Sequence, residues 1–250
     1  MLKDQWEGLK EVIKNEAVSL DSLIAEWLKT RATTGKRIFC AAGCSNCCTL
    51  FVQSSLIEAL LVAAELDAAQ LYKLQEYVLL QRKSLTGVSD FLTILRKQRQ
   101  EIGPCPFLDN SDRCSIYAQR PLACRALLST KPAEWCSVDF STLDPLEKRL
   151  YLESLERPVV AFPVHYVAAI QNSAQSVEAR LLIQMEDQLG AAISGNFPLL
   201  VYLAYTTNLP SRIKENHAQC LQILQSNPFF HPLLIQNLPA RKSVSSSNQR

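Results

Sequence analysis

SLIEALLVAAELDAAQLYKLQEYVLLQRK, residues 55–83, is the stretch that decides the fold class. Ser55 and Glu58 stand at the spacing at which a hydroxyl and a carboxylate cap a helix start reciprocally, and Asp67 and Gln70 repeat the device. The apolar run behind each cap predicts two consecutive helices, turned or kinked near Asp67. Upstream, Trp6, Leu9, Val12, Ile13, Leu20, Leu23, Ile24 and Trp27 form a stripe at helical spacing, and Gly35 suits a left-handed stop. Downstream, helices are expected over Phe91 to Arg99, 144–156, 164–189, 197–207 and 211–226. Asp144 with Pro145, Pro163, Pro198, and Pro210 with Ser211 stand at possible starts, and Gly190 at a stop.

No run alternates apolar and polar residues as a half-buried sheet does. VVAFPVHYV at 159–167 is the one strand candidate, and its proline argues against it. The expectation is an all-α protein: a helical body with an irregular cysteine-rich metal-binding insert. Residues 1–140 would form a cysteine-cluster domain with N-terminal helices. Residues 141–238 would be a C-terminal helical region, either separate or completing the same core, and 239–250 a disordered tail.

Composition narrows the function classes. The 250 residues are 48% apolar and 20% charged, with a net charge of +2, so no strong field points to nucleic acid or to a lipid surface. Arg96, Lys97 and Arg99 are expected on a solvated helix face. The N-terminus is charged through its first turns, unlike a secretory signal. The most apolar run, FPLLVYLAY at 197–205, is half the length of a membrane span and reads as a buried helix. A cytoplasmic protein is expected, in a compartment that keeps thiols reduced.

Eight of the nine cysteines lie between Cys40 and Cys136. The first cluster is Cys40-x3-Cys44-x2-Cys47-Cys48; the second is Cys105-x8-Cys114-x9-Cys124-x11-Cys136. Clustered thiols in a reducing compartment favour a metal over disulfides, because ligands two or three residues apart can share one coordination sphere. One zinc takes four ligands, more thiols than that are on offer, and adjacent Cys47 and Cys48 diverge by about 100° on a helix. Thiolate softness admits zinc and iron alike. Cys136 is read as a free thiol rather than a ligand, and Cys220 as structural.

CPFL at 105–108 and CSIYAQRPLACR at 114–125 resemble the second half of the YkgJ-type cysteine-cluster proteins, whose first half carries a CxxCxxCC signature. The resemblance spans roughly residues 38 to 130 and departs by one residue between Cys40 and Cys44. It implies a domain that chelates zinc or iron. Together with the spacing it gives the candidate ligands Cys40, Cys44, Cys47, Cys48, Cys105, Cys114 and Cys124. The cofactor would be zinc or iron, mononuclear or as a [4Fe-4S] cluster. Arg120 and Arg125 are candidate donors to thiolate sulfur, and Arg113 and Lys131 further counter-charges.

The leading function is therefore metal binding through thiolates. The alternative is an iron–sulfur-dependent methyltransferase acting on protein lysine, because the flagellin lysine methylases carry a similar cysteine arrangement. Cys40-x3-Cys44-x2-Cys47 also matches the ligand spacing of radical S-adenosylmethionine enzymes. This chain lacks their strand series and has Asn46 where an aromatic residue is usual. A partner-binding or assembly role is the third reading. No phosphate-cradling loop or paired-histidine motif is present, and His165, His217 and His231 lie away from the cysteines in sequence. Whether the protein is an enzyme stays open at this point.

Overall fold

The computed structural model describes residues 2–41, 43–213 and 219–237. His217 and the tail at 239–250 lie outside them. The first helix, α1 (Leu2–Thr33), buries Trp6, Leu9, Ile13, Leu20 and Ile24 along one stripe. It packs along α8 (Ala168–Leu189), which answers with Ile170, Ala174, Val177, Leu181 and Met185. Arg180 on α8 pairs with Glu16 on α1 at 3.0 Å.

Both capping boxes in 55–83 are present. Ser55 starts α2 (Leu56–Ala63), and Asp67 starts α3 (Ala68–Ser84). The centre of the core is α2 against α9 (Phe197–Thr206). Every residue of α9 from Phe197 to Ala204 is buried, as expected of a helix that is apolar on all sides. The helix begins at a proline, with the Asn196 side chain accepting from the Leu199 amide. Helix α4 (Phe91–Lys97) starts from an Asp90 cap and runs into a wider turn over Gln98–Ile102. Two short helices follow, α5 (Leu122–Arg125) and α6 (Glu134–Ser137), and then α7 (Pro145–Glu153), capped by Asp144. Gly190 ends α8 in the left-handed conformation, as its sequence position suggested.

Two expected starts differ. Helix α8 begins at Ala168 rather than at 164, because Pro163 sits in a cis turn and Val160 pairs with Val167 in an isolated bridge. Within 211–226 the described helices are α10 (Leu209–Ile213) and α11 (Cys220–Gln225).

The all-α expectation needs correction: the chain is mostly helical but carries a small antiparallel sheet. Its order is β1 (Gln53–Ser55), β2 (Ile193–Asn196), β3 (Ile235–Asn237). Ser54 faces Gly195 in the first pair, and Gly195 faces Ile235 in the second. Strands of three or four residues are too short to show alternation, and their partners lie far apart in sequence. One apolar cluster draws residues from α1, α2, α3, α8, α9 and α11. A smaller one centres on Tyr151, Leu155 and Val160, with Trp135 and Phe140 against Tyr151. Arg31 and Lys36 both pair with Glu156, at 2.6 and 2.7 Å, and join the end of α1 to the segment after α7. Among the described residues, no helix is long and apolar enough to cross a membrane.

Candidate metal centre

Three cysteines sit on one turn. Gly43 adopts a positive φ of 83° just before Cys44, a conformation that costs glycine little. A tight helical turn, Asn46–Thr49, then carries Cys47 and Cys48, with the Cys48 amide on the Ser45 carbonyl. The second group arrives by two devices. The Cys105 amide donates to the Cys48 carbonyl at 2.9 Å, so main chain 57 residues away in sequence is docked against the first turn. After it, Asp109 closes the 109–113 turn by accepting from the Ser111 and Arg113 amides, which returns the chain so that Cys114 bridges to Leu108.

Cys124 lies in α5, and its placement rests on Glu58. This fully buried carboxylate completes the α2 capping box, and its other oxygen accepts from the Leu122 amide at 2.8 Å. A single side chain therefore fixes the starts of both α2 and α5. Burial pushes its pKa up, and the amide donors pull it back. The capping motif was visible in the sequence; the second bond, to a residue 64 positions on, had no local signal.

Cys44, Cys47, Cys48, Cys105, Cys114 and Cys124 all line one cavity of about 110 Å³, with Tyr77, Phe197 and Arg120 in its wall. Cys47 and Cys48, expected to diverge, both reach it, and contact with the Cys48 thiol is the main cause raising the Cys47 pKa. Burial likewise pushes up Cys114 and Cys124, and takes Cys105 to about 12. Cys47, Cys105, Cys114 and Cys124 are therefore protonated at neutral pH in the metal-free chain.

Of the four counter-charges proposed from the sequence, only Arg120 faces this cavity. Its guanidinium lies 3.9 Å over the Tyr117 ring and favours the thiolates of Cys47, Cys114 and Cys124, while its buried Nε has no hydrogen-bond partner. Arg125 is committed to Asp21 and to the Ala118 and Arg120 carbonyls. Arg113 is committed to Asp109 and Lys131 to the Ser154 carbonyl.

Cys40, Cys136 and Cys220 do not line this cavity, although Cys40 and Cys136 lie within electrostatic reach of Cys44 and Cys47. The Cys40 sulfur lies between the Leu127 carbonyl, at 3.4 Å, and the Ser129 amide, at 3.2 Å. Cys136 is buried 3.4 Å from His165 Nε2, whose Nδ1 meets the Tyr151 hydroxyl at 2.8 Å. Burial holds His165 down at about 4, so it is neutral at pH 7. That contact joins residues 29 apart in sequence, and neither residue's local surroundings announced it. Cys220 is buried in the main core. None of the nine cysteines is joined in a disulfide.

Eight clustered cysteines and this convergence set the terms for comparison with known proteins. Residues 39–139 match the CxxCxxCC family. That family is described as "Putative zinc- or iron-chelating domain". The CxxCxxCC match takes in every cysteine except Cys220 and ends beyond α6. No curated protein and no solved structure matches the chain.

The donor set suits the metals named for the CxxCxxCC family, since soft thiolates bind zinc and iron. Arg120 supplies a cation where negative charge would collect. In the present arrangement no group of three or more His, Cys, Asp or Glu side chains among the described residues is set to hold a metal ion. The fit is therefore one of donor chemistry and shared cavity.

Proposed function

We propose that the protein binds zinc or iron through thiolates, drawn from Cys44, Cys47, Cys48, Cys105, Cys114 and Cys124. The observation that carries this reading is the convergence of six thiols, from segments up to 80 residues apart, on one cavity. Six exceed the four that a single zinc or a four-iron cluster uses, so two are spare or the centre is multinuclear. Cys40, with its sulfur tied to the 127–129 backbone, is peripheral in this reading. When bound, zinc would act as a crosslink, whereas an iron–sulfur cluster would add one-electron redox capacity. The chain's own contribution is to hold the loops, exclude water behind Phe197 and Tyr77, and offset charge with Arg120.

The segments bearing these cysteines form an irregular insert stapled onto the helical body, and residues 141–238 complete the same core. Support for the second point comes from α8 and α9, which pack against α1 and α2 within one apolar cluster. Free thiols throughout suit the reducing cytoplasm.

The test is metal content with an absorption spectrum on protein purified without oxygen. The expected result is about one zinc per chain in a colourless sample, or about four irons with sulfide in a coloured one. A folded, colourless, metal-free preparation would overturn the reading.

A further inference from the structure

Leu50, Val52 and Leu127 are shared between the cysteine cavity and a second, larger one of about 350 Å³. Its wall is largely apolar, and Phe51 meets Phe91 there edge to face, with centroids 5.2 Å apart and planes at 82°. Among the described residues the wall holds a single charged group, Glu178 on α8. Its carboxylate takes part in no ion pair or hydrogen bond among those residues, and its neighbour Arg180 is occupied by Glu16. Burial pushes Glu178 up to about 7, and the nearby Glu58 adds to the shift.

A part-buried carboxylate without a protein counter-ion thus shares one cavity with two aromatic rings. Anions are repelled there. A bare metal ion would find one carboxylate and otherwise only the neutral amides of Gln53, Gln171 and Gln175, too little negative charge for a hard cation. An ammonium group on an apolar body matches all three features: it pairs with the carboxylate, faces the ring electrons and covers the aliphatic wall. We propose that this cavity binds a small organic ammonium ion, with Glu178 as counter-ion and the Phe51–Phe91 pair as its aromatic wall. No cysteine enters the site, so the proposal stands apart from the metal reading.

The test is calorimetric titration of the full chain at about pH 8.5, above the Glu178 value, with n-butylammonium and tetramethylammonium chloride, against 1-butanol and butyrate. At least one cation is expected to bind about tenfold more tightly than 1-butanol, and butyrate not to bind. Glu178→Gln should reduce the cation to the level of the alcohol while leaving the melting temperature unchanged. Glu178→Asp should preserve the preference, and Phe91→Leu should weaken the cation by a few-fold. Equal binding of cation and alcohol, undiminished cation binding in Glu178→Gln, or no heat with either cation at millimolar concentration would each overturn the proposal.

Discussion

Cys124 and Cys220 are the same residue type in two different roles. Cys124 lines the thiol cavity, its backbone held by the bond from Leu122 to Glu58. Cys220 is packed in the core beside Leu224 at 1% exposure. Replacing Cys124 by Ser is expected to cut bound metal severely, read by elemental analysis, because a hydroxyl is a poor ligand for either metal. Cys220→Ser should leave metal content intact yet lower stability by about 1–3 kcal/mol, read by denaturant unfolding, because a hydroxyl buried without a partner is costly. Sequence spacing sets Cys124 inside the cluster and Cys220 outside it. For Cys40 the spacing gives a motif position, and the folded chain places its sulfur against 127–129. Arg113, Arg120, Arg125 and Lys131 were equivalent on paper; the fold places Arg120 in the cavity wall, 3.8 Å from Asp21, and engages the other three away from it.

Among the elements, legibility followed locality. Caps at Ser55, Asp67 and Asp144 are written within four residues, and all three hold in the structure. The sheet depends on pairings such as Ser54 with Gly195, which span most of the chain and leave no periodic trace. Gly195 is its tightest point: a Cβ there would lie 2.2 Å from the Leu234 carbonyl oxygen and 2.9 Å from the Ile235 Cα. Backbone cannot retreat as a side chain can, so Gly195→Ala is expected to cost about 1–3 kcal/mol. The strand leads directly into Asn196, Phe197 and Pro198, which line the cysteine cavity. A shift of β2 should therefore also raise thiol reactivity toward a labelling reagent, measured alongside unfolding.

For the whole molecule, burial of neutral thiols ties stability to pH. Burial raises the folded-state value of Cys220 to about 11 and of Cys105 to about 12, against an ordinary value of 9.0. The unfolded chain therefore loses these protons first as pH rises. The contribution is fully present below pH 9 and is lost as pH climbs through 11 to 12. Chelator-treated protein is expected to melt at a lower temperature at pH 10 than at pH 8. Metal runs the other way: each captured thiolate must release its proton, so affinity should strengthen with rising pH over the same interval. Stripped protein should hold level to about pH 9 and then lose stability, whereas loaded protein should gain stability up to about pH 9 and then level off; that pair of curves would be the signature of a thiolate centre. A stripped sample that gains stability with pH would contradict the assigned burial.

The bond from the Cys105 amide to the Cys48 carbonyl belongs to the main chain and needs no ion to form. Glu58 likewise seats α5 through protein groups alone. The loops are thus held together by protein groups alone. On the proposed function, the site could be emptied and refilled without these loops being rebuilt.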